Sequence, residues 1–350
     1  MTERILIRGV NWLGDAVMAL PALERLRETR PGARITLLTA AKLADLFVGH
    51  PAVDRVLAFD KSEGTIALAR RLRGQFDSAL ILPNSFRSAS EACLARIPER
   101  VGYEGNGRSL LLTRAIPRRP EETAMHKRSL AEIRKRLADS SERETFPSAA
   151  HHLHHYLHLV DPKAQPVAPR IYVQDSERDA FRSRFSLPGK PILGLNPGAE
   201  YGPAKRWPAE HFVAAARLVS QQIDVHWLIF GGPGDLAVAE TIRQALPSSQ
   251  SLAGQTTLRE LCVGLSLCRS VLTNDTGPMH LAAAAGARVV VPFGSTSPEL
   301  TGPGLPGTGP HALIRGQAPC APCFRRECPI DFRCMHSITP KMIADALLAS

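Results

Sequence analysis

The chain has 350 residues, long enough for two domains, and its 44% hydrophobic and 22% charged composition is that of a folded globular protein rather than a disordered one. Lys and Arg outnumber Asp and Glu by 43 to 33, a formal charge of +10, which favours an anionic partner: nucleic acid, a phosphorylated small molecule or an anionic membrane surface. Aromatic residues are only 5% of the chain, which argues against a single-strand binder built on stacking platforms. No run approaches the roughly 20 apolar residues needed to span a bilayer, and the first residues read as a strand rather than a signal peptide, so the expectation is a cytoplasmic protein.

In chain order, residues 3–8 alternate around Ile5, Leu6 and Ile7 and predict a buried strand. Residues 9–14 form a glycine-bearing loop. From Asp15, the spacing of Val17, Met18, Leu20, Leu23 and Leu26 predicts a helix that stops near Pro31-Gly32. Strands follow at 35–38, 53–59 and 78–82. Strands alternating with helices imply right-handed crossovers and a parallel sheet. The charge-dense stretch 114–143 reads as a loop and a solvated helix, 151–160 as another helix, and 161–170, with three prolines, as a linker. A second α/β series predicts strands at 191–196, 225–230, 270–273 and 288–292, with helices at 208–221, 237–246, 257–268, 278–285 and 338–348.

Three loops gather chemistry. The first, Arg8-Gly9-Val10-Asn11-Trp12-Leu13-Gly14-Asp15, leaves the first strand at the sheet edge where ligands bind in such folds. It is not a dinucleotide fingerprint. Asp15 stands where a side chain acts either as a helix N-cap or as a general base. The second, Asn196-Pro197-Gly198-Ala199-Glu200 followed by Lys205-Arg206-Trp207-Pro208, combines a glycine turn with two cations and suits a diphosphate, or is simply a solvated basic loop. The third, Thr273-Asn274-Asp275-Thr276-Gly277-Pro278-Met279-His280, runs from strand to helix start, an anion site if its amides are open and a capped helix if they are not.

Cys320, Cys323, Cys328 and Cys334 fall within fifteen residues. Their spacing is looser than that of a zinc ribbon, and they read as zinc ligands, as buried thiols or as reversible disulfides. His151, His152, His154, His155 and His158 form i,i+4 pairs on a helix, read here as a solvated face because no carboxylate or cysteine joins them.

Taken together and in order, these motifs, with Leu252-Ala253-Gly254-Gln255-Thr256, resemble the ADP-heptose-dependent lipopolysaccharide heptosyltransferases of glycosyltransferase family 9. The likeness is greatest to the branch that adds the second inner-core heptose. The resemblance implies a GT-B fold: two facing Rossmann-like domains, at 1–165 on the acceptor side and 166–337 for the nucleotide sugar. It also implies a C-terminal helix, 338–350, returning to the N-terminal domain. It implies inverting transfer of heptose from ADP-heptose to the heptose already on a phosphorylated lipid A-core acceptor, at the cytoplasmic face of the inner membrane, without nucleic acid. The alternatives are transfer of the first heptose, or another GT-B activity such as a sugar-nucleotide epimerase. By the same resemblance Asp15 is the base, and Asn11, Trp12 and Gly14 lie on the acceptor side. Lys205 meets the diphosphate. Asn196, Gly198, Arg206, Ala253, Gly254, Asp275, Thr276, Gly277 and His280 surround the donor, and Asp235 is the candidate for its ribose. No cofactor is required by this scheme, and zinc is a candidate only at the four cysteines.

Overall fold

The computed structural model describes residues 2–60 and 62–349. The chain forms two α/β units, one made of Met1–Glu122 with His152–Tyr172, the other of Thr123–His151 with Val173–Ser350.

The first unit contains β1 (Arg4–Arg8), α1 (Leu13–Met18), α2 (Leu20–Thr29), β2 (Arg34–Ala40), β3 (Arg55–Phe59), α3 (Thr65–Leu72), β4 (Ser78–Ile81), α4 (Phe86–Leu94), β5 (Glu99–Tyr103) and β6 (Arg114–Ile116). All six strands run parallel in the order β3-β2-β1-β4-β5-β6. The central strands are apolar along their length because helices cover both faces: Ile5, Leu6 and Ile7 are all buried. The order reverses at β1, which has β2 on one side and β4 on the other, so the loop after β1 opens at a topological switch point.

The chain then contributes α5 (Leu130–Ala138) to the second unit and returns to the first with α6 (His152–Val160). The second unit continues with α7 (Asp175–Arg184), β7 (Ile192–Asn196), α8 (Ala209–Ser220), β8 (His226–Ile229), α9 (Leu236–Ala245), β9 (Ser249–Ser251), α10 (Leu258–Ser266), β10 (Ser270–Thr273), α11 (Gly277–Ala284) and β11 (Arg288–Phe293). It closes with α12 (Pro298–Thr301), β12 (Ala312–Arg315), α13 (Arg333–His336) and α14 (Pro340–Leu348). Its sheet is again parallel, β12-β11-β10-β7-β8-β9, with the switch point at β7. Leu193, Leu195, Trp227, Ile229, Leu272 and Val290 share one core.

Four expectations about organisation are revised. The boundary does not fall at 165/166, because Thr123–His151 belongs to the second unit and the chain leaves the first only after Tyr172. The helix α5 is largely solvated, as expected, with Ile133 buried, but three arginines of that excursion are engaged within the fold. They donate to backbone carbonyls of the cysteine-rich segment and its neighbours: Arg128 to Cys320 at 2.8 Å, Arg136 to Pro319 at 2.8 Å, and Arg143 to Gly316 at 2.9 Å and to Thr296 at 2.8 Å. The C-terminal helix belongs to the second unit. It packs on α8, buries Ile343, Ala344 and Leu347, and is reached by the Trp207 indole, which donates to the Ile338 carbonyl at 3.0 Å. The expected first helix starts at Leu13 and is interrupted at Ala19, so Asp15 lies inside its first turn rather than at the N-cap, which is Trp12.

One ion pair fixes the end of β1 just before the first loop. Arg8 Nε lies 2.8 Å from Glu91, with both side chains at most 5% exposed, and its guanidinium stands 4.3 Å over the Phe59 ring. Removing Glu91 leaves the Arg8 charge buried without its carboxylate. Glu91→Ala is expected to lower stability by about 3–5 kcal/mol in denaturant unfolding. A loss below about 1 kcal/mol contradicts this role.

Candidate functional site

In the first unit the loop after β1 presents an exposed Asn11 and Trp12, the latter with the Lys42 ammonium 5.8 Å from its ring centroid. Gly14 follows at the start of α1. Asp15 is half-buried, and its Oδ1 accepts a hydrogen bond of 2.9 Å from the Tyr156 hydroxyl. The sequence reading of α6 as a solvated histidine helix is corrected here: Leu153, Tyr156, Leu157 and Leu159 are buried. His155 is held by Asn84, whose Nδ2 is 3.2 Å from its Nε2, and by the Tyr103 ring stacked at 4.1 Å. Burial pushes the His155 imidazole down to about 3, so it is neutral at neutral pH. Tyr156 is a site residue that the sequence reading missed. The stripe Leu153, Tyr156, Leu157, Val160, spaced i, i+3, i+4, i+7, is the signal that marks a packed helix.

In the second unit the loops after β7 and β10 meet at the switch point. Asn196, the last residue of β7, donates to Thr273 Oγ1 at 3.2 Å. The Asn274 side chain ties the two loops together. Its Oδ1 accepts from the Trp207 amide at 3.0 Å, and its Nδ2 donates to the Pro197 carbonyl at 2.7 Å. Next to it the Lys205 ammonium is 2.7 Å from Asp275 Oδ2, with side chains 15% and 4% exposed, and Thr296 donates to the same oxygen at 2.6 Å. Asp275 is therefore engaged with Lys205 and Thr296. Thr276 is the N-cap of α11 without a side-chain cap hydrogen bond, and Gly277 begins the helix. The first amides of a helix lie outside the helical ladder, a position that suits an anion. His280 is buried on α11.

The remaining candidates divide. Asp235 packs directly over Gly198, where an added Cβ would run into its carboxyl group, and it accepts from the Gly232 amide at 3.0 Å. The loops after β7 and β8 are thereby brought together, with Asp235 at their junction. The Gly254 amide donates to Gly231 at 2.9 Å and places Ala253, which is buried, beside the same junction; Gly254 itself has φ +69°. Arg206 is exposed, and one of its guanidinium nitrogens is 3.4 Å from the Ala199 carbonyl, so it is the least enclosed of the set. Arg326 was not legible in sequence. Its guanidinium and the Lys205 ammonium both lie on the Tyr201 ring, at 5.0 and 5.1 Å, adding a third cation to the loop.

The four cysteines acquire a structural explanation. Cys320, Cys323, Cys328 and Cys334 line one apolar cavity with Ile133 and Ala204. Among the described residues, no group of three His, Cys, Asp or Glu side chains is arranged to hold a metal ion. Burial raises the Cys320 and Cys323 thiols and pushes Cys334 up to about 12, so these three stay protonated. The segment they anchor braces the lysine loop: Arg326 accepts from the Ala204 amide at 2.9 Å, and Phe324 accepts from the Tyr201 hydroxyl at 3.1 Å. Gly202, at φ +155°, leaves room for the Arg326 carbonyl, which a side chain would strike.

Residues 65–332 match the sequence profile of glycosyltransferase family 9 (heptosyltransferase). The chain belongs to glycosyltransferase family 9. It is 33% identical over 313 residues to lipooligosaccharide heptosyltransferase 2 of Haemophilus influenzae, covering 85% of both chains. It is 31% identical over 315 residues to lipopolysaccharide heptosyltransferase 2 of Salmonella typhimurium, covering 86% of this chain and 85% of the relative. The fold superposes on the structure of Escherichia coli ADP-heptose lipopolysaccharide heptosyltransferase II with a TM-score of 0.78, at 27% identity over 99% of this chain and 98% of the other. This family 9 protein is thus a glycosyltransferase, with a parallel six-stranded sheet in each unit. Among the described residues, no helix is long and apolar enough to cross a membrane.

If the cysteines are protonated core thiols, Cys320, Cys323 and Cys334 of the native glycosyltransferase resist iodoacetamide at pH 8 and are alkylated only after unfolding, with or without a chelator. Peptide mass mapping reads this directly. Alkylation of the native protein released by chelator alone would assign the thiols to a metal ion instead.

Proposed function

We propose that this glycosyltransferase moves heptose from ADP-heptose to the first heptose of the lipopolysaccharide inner core, with inversion at the transferred carbon. The observation that carries the reading is the 33% and 31% identity, over most of both chains, to enzymes named as heptosyltransferase 2. The acceptor is a phosphorylated lipid A-core, met peripherally at the cytoplasmic face of the inner membrane, and the surplus of 43 Lys and Arg over 33 Asp and Glu suits both that acceptor and the diphosphate.

In this reading Asp15 is the general base. It takes the proton from an acceptor hydroxyl as that oxygen attacks the anomeric carbon, directly or through one water. Asn11, Trp12 and Gly14 line the acceptor side. The departing ADP gains negative charge as the glycosidic bond breaks. Lys205, Arg206 and the amides of Thr276 and Gly277 offset that charge, and His280 assists from α11. No step calls for a cofactor, because the cations and amides already meet the charge that develops. Asp275 holds Lys205 in place until the diphosphate arrives and then shares it, an arrangement supported by their 2.7 Å pairing. Asn196, Gly198, Ala253 and Gly254 approach the nucleotide through backbone, and Asp235 reaches the ribose. Zinc has no part in the transfer; the four cysteines support the lysine loop.

The deciding experiment incubates the protein with ADP-heptose and two acceptors, one ending in Kdo and one carrying a single heptose. Mass spectrometry is expected to show one added heptose on the second acceptor only. Extension of the first acceptor points to first-heptose transfer, and interconversion of the nucleotide sugar without acceptor points to an epimerase. Asp15→Asn is expected to cut turnover by about 10²–10⁴-fold while leaving ADP affinity near that of the unchanged protein. Near-normal turnover removes Asp15 from the role of base.

A further inference from the structure

Asp15 does not stand alone at the end of its loop, and the group that meets it comes from a distant part of the chain. Tyr156 lies on α6, 141 residues further on, and its hydroxyl donates to Asp15 Oδ1 at 2.9 Å. We propose that Tyr156 is a positioning residue for Asp15, a permanent neutral donor that aims the carboxylate and keeps it ionised so that it can accept a proton from the acceptor hydroxyl. This inference rests on the reading of Asp15 as the base.

Three observations support it. The tyrosine is held rigidly. It is 6% exposed, and α6 packs on α1 and α2, so the donor sits on the element that faces the loop bearing Asp15. The helix is fixed from behind by Tyr103, whose hydroxyl donates to the His155 carbonyl at 2.8 Å and whose ring stacks on the His155 imidazole. A donor immobilised in this way loses little freedom when it makes its bond, and it restricts the rotamers of its acceptor.

The donor also stays a donor. Burial, and after it the charge of Asp15, pushes the Tyr156 phenol well above its ordinary range, so it remains protonated wherever the enzyme is folded. Other charged and titratable groups around this spot include His152, His155 and His158 on α6, Glu122 just before the chain leaves the unit, and Arg118 and Arg119, whose charges also lower His155. Burial lowers His152 even though Asp15 raises it, and burial holds His155 at about 3. Glu122 Oε2 is 3.5 Å from His155 Nδ1. Burial thus favours the neutral form of both imidazoles. The Tyr156 hydroxyl, together with the position of Asp15 in the first turn of α1, where the helix dipole favours a carboxylate, supports the negative charge.

Tyr156→Phe tests this by removing one oxygen and keeping the ring. A hydrogen bond to an ionised group is worth enough to change turnover by about 10- to 100-fold. The expected result is a kcat lowered by about that factor, with KM for ADP-heptose unchanged within about twofold. The acidic limb of the rate profile should move to higher pH, because a carboxylate that has lost a donor holds its proton more tightly. Tyr172→Phe, which removes a tyrosine hydroxyl bonded to Glu24 elsewhere in the unit, is expected to leave the limb where it was. Where Tyr156→Phe lowers stability, 3-fluorotyrosine at position 156, a stronger donor of nearly the same shape, is expected to move the limb to lower pH. Wild-type kcat and an unmoved limb in these variants overturn the inference. The companion Asp15→Asn measurement separates the two failures. If Asp15→Asn is inactive while Tyr156→Phe behaves as wild type, only the positioning role falls. If Asp15→Asn is active, the base assignment itself falls.

Discussion

A lysine and an aspartate buried side by side at the carboxyl end of a parallel sheet cannot do without one another. Lys205 and Asp275 are 15% and 4% exposed and 2.7 Å apart. Either charge left alone there pays a desolvation penalty of several kcal/mol. The pair therefore fixes where the loop after β7 meets the loop after β10, and the nearby groups follow from it. Asn274 satisfies the Trp207 amide and the Pro197 carbonyl, and Thr296 fills the second position on the Asp275 oxygen. In the proposed reaction this same pair is what an incoming diphosphate engages. A cation already held in place needs little reorganisation when charge develops on the leaving group, which is the condition under which electrostatic stabilisation acts most strongly.

The lysine loop is supported from behind by a part of the chain that composition alone made conspicuous. The four clustered cysteines form the small apolar centre of a segment with little regular structure of its own. Its backbone carbonyls accept hydrogen bonds from Arg128 and Arg136, and from Ala204 and Tyr201 in the lysine loop. Much of the surplus of arginine is spent in this way, on carbonyls within the fold rather than on an external partner. Arg143 on the Gly316 and Thr296 carbonyls is a further case, and Arg8 is engaged by the Glu91 carboxylate. The charge balance of the chain is therefore a weaker guide to partners than it first suggests.

What the sequence disclosed follows the range of the forces involved. Strands β1, β7, β10 and β11 were legible because a parallel sheet covered on both faces demands continuous apolar runs. The short strands Arg114–Ile116, Ser249–Ser251 and Ala312–Arg315 were not, since at the edges of the sheets their residues are largely half-exposed. The three loops were legible as glycine-bearing turns after strands, and Lys205, Asp275 and Asn274 do meet at one edge. Other features rest on contacts between residues far apart in sequence. Tyr156 reaches Asp15 across 141 residues and Arg128 reaches Cys320 across 192, and no local pattern encodes either. The histidine helix misled for a different reason: a neutral imidazole packs as an apolar body with a polar tip, and His155 is used that way against Tyr103. The C-terminal helix, amphipathic in sequence, carries no signal of which unit its apolar face covers; Ile343 and Leu347 settle on α8.

In the proposed reaction Asp15 takes the proton of the acceptor hydroxyl, and Lys205, Arg206 and the amides of Thr276 and Gly277 offset the charge of the departing phosphates. The proposed transfer is a single displacement at the anomeric carbon. Its stereochemical consequence is the most direct test. The anomeric configuration of the newly linked heptose, read by NMR on the isolated product and compared with that of the donor, is expected to be inverted. Retention of the donor's configuration would contradict a direct attack assisted by Asp15.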